Sequence, residues 1–414
     1  MASPQPVRGT YDILPEQHRR HRVVTETARE VALRYGYQEI STPIFESTDV
    51  FARTLGDTSD IVTKEMYTFA DRNGDNITLR PEYTAGVARA FISNGLSQNL
   101  PLKYFCHGPM FRYERPQKGR QRQFHQIDIE ILGVEKPVAD IEVIAIGARI
   151  LEELRVSDKV VLELNSLGDT ESRTAYRAKL VEYLSDFKDK LSEESLIRLE
   201  KNPLRILDSK DPNDKEIVAE APLMFESLNA ASEDFFGTVK SGLESIGIDY
   251  NLNPRLVRGM DYYCHTAFEF VTDTLGSQGA VIAGGRYDGL IKIIGGPQTP
   301  GIGWAGGIER LAMMLEQDPE VKRPIAVIPV SGDQEEAAFG VAENLRRSGF
   351  TVDLGYTGNM KKRLNRANKA SAVAAILIGE DELAKGMATV RDMETGEQAE
   401  VLLSSLEEHL ARHR

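Results

Sequence analysis

The chain has 414 residues, 41% of them hydrophobic and 27% charged, with a formal net charge of −13. That length exceeds one ordinary domain, so two or three are expected, and the composition is that of a soluble globular protein rather than a disordered one. The acidic balance does not exclude a polyanionic partner, because nucleic-acid binding depends on a local basic surface, and basic residues cluster at 112–122 and 361–369.

No run of about 18 apolar residues occurs, so no membrane span is expected. The opening MASPQPVRGTYDILPE lacks an apolar signal core, which gives a cytoplasmic expectation. Two isolated cysteines, Cys106 and Cys264, are too few for a disulfide framework or a zinc cage. The seven histidines show no metal-ligand spacing, so no protein-held transition metal is expected, and His18 and His21 read as solvent-facing on a charged helix.

In chain order, Pro15 to Tyr35 reads as a helix, with proline in its first turn, apolar residues at helical spacing and Gly36 as its stop. Gln38 to Thr42 is a short strand. Tyr67 to Leu79 is a hairpin turning on Asn73-Gly74, and Glu82 to Asn94 returns to helix. Two strands follow, KYFCHGPMFRY and QFHQIDIEIL, joined by a loop carrying Arg115, Lys118, Arg120 and Arg122. In the second strand Phe124, Gln126, Asp128 and Glu130 alternate with His125, Ile127, Ile129 and Ile131, so one face is polar and lines either water or a site.

Pro137 to Leu154 is helix and Val160 to Leu164 strand. The charged, helix-periodic stretch from Asp169 is an inserted helical subdomain, placed at 169–225 within a first domain of 1–323. Strand resumes at Tyr250 to Leu256, and DPEVKRP marks a boundary. From 324 to 414, apolar strands alternate with helices, which indicates an α/β domain with a largely parallel sheet.

The residues that carry chemistry are arginines. Arg112, Arg258 and Arg310 each fall at or near a strand end or glycine-rich turn, and a guanidinium is always charged and grips two phosphate oxygens. No GxxxxGK[ST] occurs, and GGRYDG lacks dinucleotide-fingerprint spacing. Taken singly, each arginine, each acid and each tyrosine would more often be a surface, salt-bridge or core residue than a catalyst. Their joint pattern lifts them above that.

RGTYDILPE, STPIFE, RPEYTAG, GPMFRYERPQKGRQRQFHQ, NPLRILDSK, LVRGMDYY with AGGRYDG, and GIGWAGGIERL together resemble class II aminoacyl-tRNA synthetases, and specifically the bacterial histidyl-tRNA synthetase family, over essentially the whole chain. The resemblance implies an α+β fold: an antiparallel-sheet catalytic core with a helical insertion, plus a C-terminal α/β anticodon-binding domain. It implies ATP-dependent activation of L-histidine to the adenylate and transfer to the 3′ end of tRNA(His), with Mg2+ accompanying ATP and a homodimer joined partly through Ser41 to Phe51. Arg112, Glu114, Arg120, Phe124 and Arg310 would bind ATP. Arg258 would pin the histidine carboxylate against the α-phosphate, making Arg258 and Arg112 the catalytic pair. Glu82, Thr84 and Gln126 would receive the α-ammonium group, and Glu130, Tyr263 and Tyr287 would read the imidazole.

Gln117 and Arg122 are candidate contacts to the tRNA acceptor end. Lys361, Lys362, Arg363 and Arg366 are candidate phosphate contacts in the anticodon domain, or equally a solvated helix face. His265 has no assigned role, and Trp304 either senses ATP or is simple packing. Two rivals exist: a non-catalytic, histidine-sensing regulatory subunit of ATP phosphoribosyltransferase, and a purely tRNA-binding module. The first should lack the catalytic arginines and the α/β tail, and the second leaves the histidine-like pocket unexplained.

Overall fold

The computed structural model describes residues 3–56, 59, 61–258, 260, 262–276 and 279–414. It divides into two units, Met1–Asp318 and Pro319–Arg414. Strands of the first unit are β1 (Gln38–Glu39), β2 (Phe45–Ser47), β3 (Tyr67–Ala70), β4 (Asn76–Leu79), β5 (Leu102–Phe111), β6 (Gln123–Leu132), β7 (Val161–Ser166), β8 (Asn251–Leu252), β9 (Cys264–Val271), β10 (Ala280–Arg286) and β11 (Gly301–Gly307). Eight of them form one sheet in the order β1-β5-β6-β11-β10-β9-β7-β8, while β2-β4-β3 form a small second sheet. Only the two edge pairs of the large sheet, β1 with β5 and β7 with β8, are parallel.

The strict alternation of β6 sets what lies on each side of this sheet. Ile127, Ile129 and Ile131 face one way and are buried against the helices Pro15–Arg34 and Val138–Glu153, in a core that also holds Phe268, Phe270 and Trp304. Gln126, Asp128 and Glu130 occupy the opposite face, as the pleat requires. The β3–β4 turn forms as Asn73-Gly74 dictates: Gly74 takes φ 91°, and the Asp71 carboxylate accepts from the backbone N–H of Asn73 and Asp75 at 2.8 and 3.0 Å.

Between β7 and β8 the helices Thr170–Ser185, Glu193–Lys201 and Pro212–Ala219 build a separate apolar core around Tyr176, Leu180, Leu184 and Ile206. Each has a side-chain N-cap, Asp169, Ser192 and Asp211 respectively. A fourth helix, Ala230–Ser245, joins the main core instead, through Phe236, Val239 and Leu243. The strand expected to run to Leu256 ends at Leu252. Pro254 has no N–H for a ladder, and Asn253 turns the chain by accepting the N–H of Arg255 on its side chain and that of Leu256 on its carbonyl.

The second unit has β12 (Ile325–Pro329), β13 (Val352–Leu354), β14 (Ala374–Ile378), β15 (Met387–Asp392) and β16 (Gln398–Leu402) in the order β13-β12-β14-β15-β16. Here the expectation of a largely parallel sheet needs correcting. β12 pairs in parallel with β13 and β14, but β14–β15 and β15–β16 are antiparallel. Helix crossovers enforce the parallel pairs, whereas the short turn before β16 permits only the antiparallel one. Among the described residues no helix is long and apolar enough to cross a membrane.

The insertion depends on one buried acid. Asp214 is fully buried and accepts from the hydroxyls of Ser192, Ser195 and Ser209 at 2.7, 2.6 and 2.6 Å. Burial pushes its carboxyl up, but these donors outweigh that and hold it below the ordinary value of 3.8. Its contribution is therefore complete at neutral pH and lost as pH falls below 3.8. Asp214→Ala is expected to lower stability by about 3 kcal/mol in urea unfolding at pH 7, with the deficit shrinking toward pH 3.

Candidate active site

The polar face of β6, the end of β5, the approach to β9 and the helix Ile308–Met314 enclose a cavity of about 380 Å³. Arg112, Arg258 and Arg310 all line it, although they come from three distant parts of the chain. Glu82, Thr84, Glu114, Arg120, Phe124, Gln126 and Tyr263 line it too. Gly259 and Asp261, within LVRGMDYY, lie outside the described residues.

At one end the surroundings are cationic. Arg112 donates Nε–H to the Pro81 carbonyl at 2.9 Å, and its guanidinium carbon lies 5.3 Å from the centroid of the Phe124 ring. Arg310 donates to the carbonyls of Gly119 at 3.1 Å and Ala280 at 2.6 Å, which fixes its fork toward the loop after β5. Burial, then the nearby charges of Arg120 and Arg112, lower the Arg310 pKa, and Glu114 only partly compensates. Glu114 is paired with Arg120 at 2.7 Å. Such a crowd of fixed positive charge is relieved by a polyanion.

Arg258 also lines the cavity. Its side chain is 11% exposed, bonds Glu269 at 2.5 Å, and lies 5.1 Å from the Tyr263 ring centroid. Burial alone would lower its pKa, but Tyr263 and Glu269 carry it above the ordinary value. Its Nε–H is buried without a partner, a donor left for a ligand oxygen.

Other groups of the lining are acidic and phenolic. Glu82 is buried at the start of the helix Thr84–Ser93 and accepts the N–H of Thr84 and Ala85, both at 2.8 Å. Gln126 borders the cavity with its Oε1 buried and unpartnered, an acceptor aimed at a donor that only a ligand can supply. Glu130 does not line the cavity. It lies behind Thr84, whose hydroxyl donates to Oε1 at 2.6 Å, while the Tyr287 hydroxyl donates to Oε2. Gly303 makes room for this carboxylate, since a Cβ there would meet Glu130 Oε2 at 1.8 Å. Tyr287 is likewise buried behind the lining rather than part of it.

The remaining candidates lie elsewhere. In the loop after β5, Gln117 bridges to Arg120 through the backbone, and the Arg122 guanidinium stacks 3.7 Å from the Tyr113 ring centroid. In the second unit Lys361, Lys362 and Arg366 are exposed on the helix Met360–Lys369. Arg363 departs from the expectation of a surface phosphate contact: it is 6% exposed, donates to the Pro329 carbonyl and pairs with Glu335 at 2.9 Å. Every third or fourth residue of an amphipathic helix turns inward, and Arg363 occupies such a position.

Sequence reasoning missed three features of the site. Glu269 faces Arg258 from β9, Arg205 and Lys210 bring NPLRILDSK to the cavity wall, and Arg286 of AGGRYDG is fully buried on Asp140. Two of these had a signal: NPLRILDSK is one of the segments that carry the resemblance, and Arg286 is an arginine inside a glycine-rich strand. Trp304 borders the cavity but is 2% exposed and donates to the Val143 carbonyl at 2.8 Å. His21 is not simply solvent-facing: with His125 and Glu309 it forms a group whose potential ligand atoms lie within 4.8 Å of one another.

An antiparallel-rich sheet presenting arginines to one cavity, together with an α/β unit carrying basic residues, is the arrangement of a class II aminoacyl-tRNA synthetase. Comparison with known proteins agrees. A family model described as histidyl-tRNA synthetase matches residues 9–311, and one described as an anticodon binding domain matches 324–413. The chain is 60% identical to a histidine–tRNA ligase of Rhodospirillum rubrum over 100% of both chains, and 54% identical to that of Gluconacetobacter diazotrophicus over 99% of each. The apo crystal structure of S. aureus histidyl-tRNA synthetase superposes with a TM-score of 0.83 at 34% identity, covering 98% of this chain and 99% of that one. The chain belongs to the histidyl-tRNA synthetase family.

Burial raises the Glu130 carboxyl from 4.5 to about 8 and pushes Glu82 upward as well, despite their donors. A raised carboxyl binds its proton more tightly in the folded state, so stability falls as pH rises from 4.5 through about 8. Glu130→Gln is expected to flatten the decline of Tm between pH 5 and 8, read by calorimetry of the ligand-free protein.

Proposed function

We infer that this chain is a histidine–tRNA ligase that forms histidyl-adenylate from ATP and L-histidine and transfers the histidyl group to tRNA(His). The observation that carries this reading is the meeting of Arg112, Arg258 and Arg310 in one cavity that Glu82, Gln126 and Tyr263 also line. Adenine would lie on Phe124 with its amino group toward Glu114. The phosphates would lie among Arg112, Arg120 and Arg310. The histidine carboxylate would meet the α-phosphate at Arg258, whose unpartnered Nε–H supplies a donor there.

The chemistry needs no protein nucleophile. A carboxylate oxygen attacks the α-phosphorus, the bond to the bridging oxygen breaks, and pyrophosphate departs while fixed guanidinium charge stabilises the build-up on the oxygens. In the second step the terminal ribose hydroxyl attacks the carbonyl carbon and AMP leaves. No lining side chain is an obvious general base for the ribose hydroxyl, so a phosphate oxygen of the adenylate is the proposed proton acceptor. Mg2+ would enter with ATP. Such an ion needs only one or two carboxylates plus phosphates, and Glu269 beside Arg258 is the lining acid suited to hold it. The ion would neutralise phosphate charge.

Selectivity would come from unpaired polar groups. The α-ammonium would satisfy Gln126 Oε1 together with Glu82 and Thr84, and Tyr263 and Glu130 would read the two ring nitrogens, with Tyr287 beside them. For Glu130 to reach the ring, one of its two hydroxyl donors, Thr84 or Tyr287, must release it. A substrate leaving such groups unpaired is rejected by about 10⁴-fold or more, so no editing site is required.

The acceptor end of tRNA would be met by Gln117 and Arg122, and the anticodon by the second unit, with Lys361, Lys362 and Arg366 on its phosphates. Arg363 is set aside as a direct contact because it is buried. Ile44 and Phe45 are 43% and 55% exposed in the segment proposed to join two copies, an apolar surface that a homodimer would cover. ATP and tRNA as substrates put the work of the enzyme in the cytoplasm. The regulatory-subunit reading is disfavoured by the retained arginines and by the second unit.

Histidine-dependent ATP–pyrophosphate exchange, assayed against all twenty amino acids, tests the reading. Histidine alone is expected to support exchange, and Arg258→Ala to lower kcat/KM by about 10²-fold or more. Exchange with another amino acid, or with none while tRNA still binds, would overturn it. Phe45→Glu is expected to shift the protein from dimer to monomer in analytical ultracentrifugation.

A further inference from the structure

We propose that His21, His125 and Glu309 form a binding site for one divalent transition-metal cation, with zinc the ion whose chemistry fits best. Nothing in the activation chemistry uses these three groups. They come from three elements, the helix Pro15–Arg34, strand β6 and the helix Ile308–Met314. One potential ligand atom from each lies within 4.8 Å of the other two.

Two imidazoles and one carboxylate are a borderline donor set that favours zinc and its neighbours over magnesium or calcium. On a shared tetrahedral ion such atoms stand roughly 3.3 Å apart, given metal–ligand bonds of about 2 Å, so the group, now within 4.8 Å, must contract by up to about 1.5 Å. His21 is half-buried, so the contraction must come from its side of the group. The other two are already locked together: Glu309 accepts the backbone N–H of His125 at 3.0 Å on each oxygen, and His125 Nδ1 lies 2.8 Å from Oε1. The rings of His21 and His125 are 5.8 Å apart and inclined at 61°, edge toward face rather than stacked.

Access exists. A second cavity of about 520 Å³ opens beside the group, lined by His21, Glu309, Tyr11 and Lys118. The positive charge of Arg20 does not oppose a cation there, because Arg20 is engaged by Asp318 at 2.8 Å and by the carbonyls of Ala312 and Leu315. Glu309 also borders the active-site cavity, and its neighbour Arg310 and the neighbours of His125, Phe124 and Gln126, line that cavity. A bound ion would therefore stiffen the nucleotide wall from behind, and its occupancy should alter the KM for ATP more than kcat.

The test uses the full-length protein, stripped with chelator and titrated with Co2+ and then with Zn2+. One Co2+ per chain is expected, with visible d–d absorption displaced by Zn2+. His21→Ala is expected to weaken binding at least about 10-fold while leaving chelator-treated histidine-dependent exchange intact. His18→Ala, one helical turn away, should bind as the unsubstituted chain does. Independently of any variant, Co2+ should shift the NMR ring signals of two histidines and spare His409 and His413. Absence of saturable one-to-one binding, equal affinity in His21→Ala, or shifts confined to other histidines would overturn the proposal.

Discussion

Positive charge held out of water in one place is the constraint on which the rest of this molecule depends. Arg112, Arg258 and Arg310 share a cavity with Arg120, and burial together with mutual repulsion already lowers the pKa of Arg310. Such a cluster is costly in the empty protein and is tolerated because each fork is fixed by backbone carbonyls or an acid: Pro81 for Arg112, Gly119 and Ala280 for Arg310, Glu269 for Arg258. The large sheet brings these anchors together, with β6, β9, β10 and β11 all contributing to the cavity wall. In the proposed function that positive charge would be met by a triphosphate as it binds and by the charge that develops as pyrophosphate leaves.

The buried acids in and behind the cavity wall obey the complementary rule. Glu82, Asp128 and Glu130 are all buried, and burial raises each carboxyl above its usual value. Backbone donors at a helix start hold Glu82, and hydroxyls hold Glu130, whereas Asp128 has no hydrogen-bond partner. In the proposed function a cationic ammonium would meet Glu82, and a ring that both donates and accepts would meet Glu130. On that proposal the cavity divides into a phosphate half and an amino-acid half, with Arg258 at the border.

Much of this was legible in the sequence, and the reasons differ by residue. The β6 alternation exposed both its faces because a strand period of two cannot be mistaken over ten residues. Helix Pro15–Arg34 carried its own start and stop signals. Strands β2 and β16 were invisible: they are short and largely exposed, and their pairing is set by neighbours rather than by pattern. Burial of Arg363 was hidden by its basic surroundings. The arginines were singled out by resemblance, since no local pattern distinguishes a catalytic guanidinium from a surface one. The Glu130–Gly303 contact and the His21–His125–Glu309 group could not be read at all, because each joins segments that only the sheet brings together.

The most direct test of the divided cavity is a crystal structure with a non-hydrolysable histidyl-adenylate analogue. The account predicts its phosphate-equivalent group between Arg112 and Arg258, its adenine on Phe124, and its imidazole against Tyr263 with Gln126 Oε1 receiving the ammonium. An analogue bound with its imidazole among the arginines, or held outside the cavity that Arg112, Arg258 and Arg310 line, would contradict it.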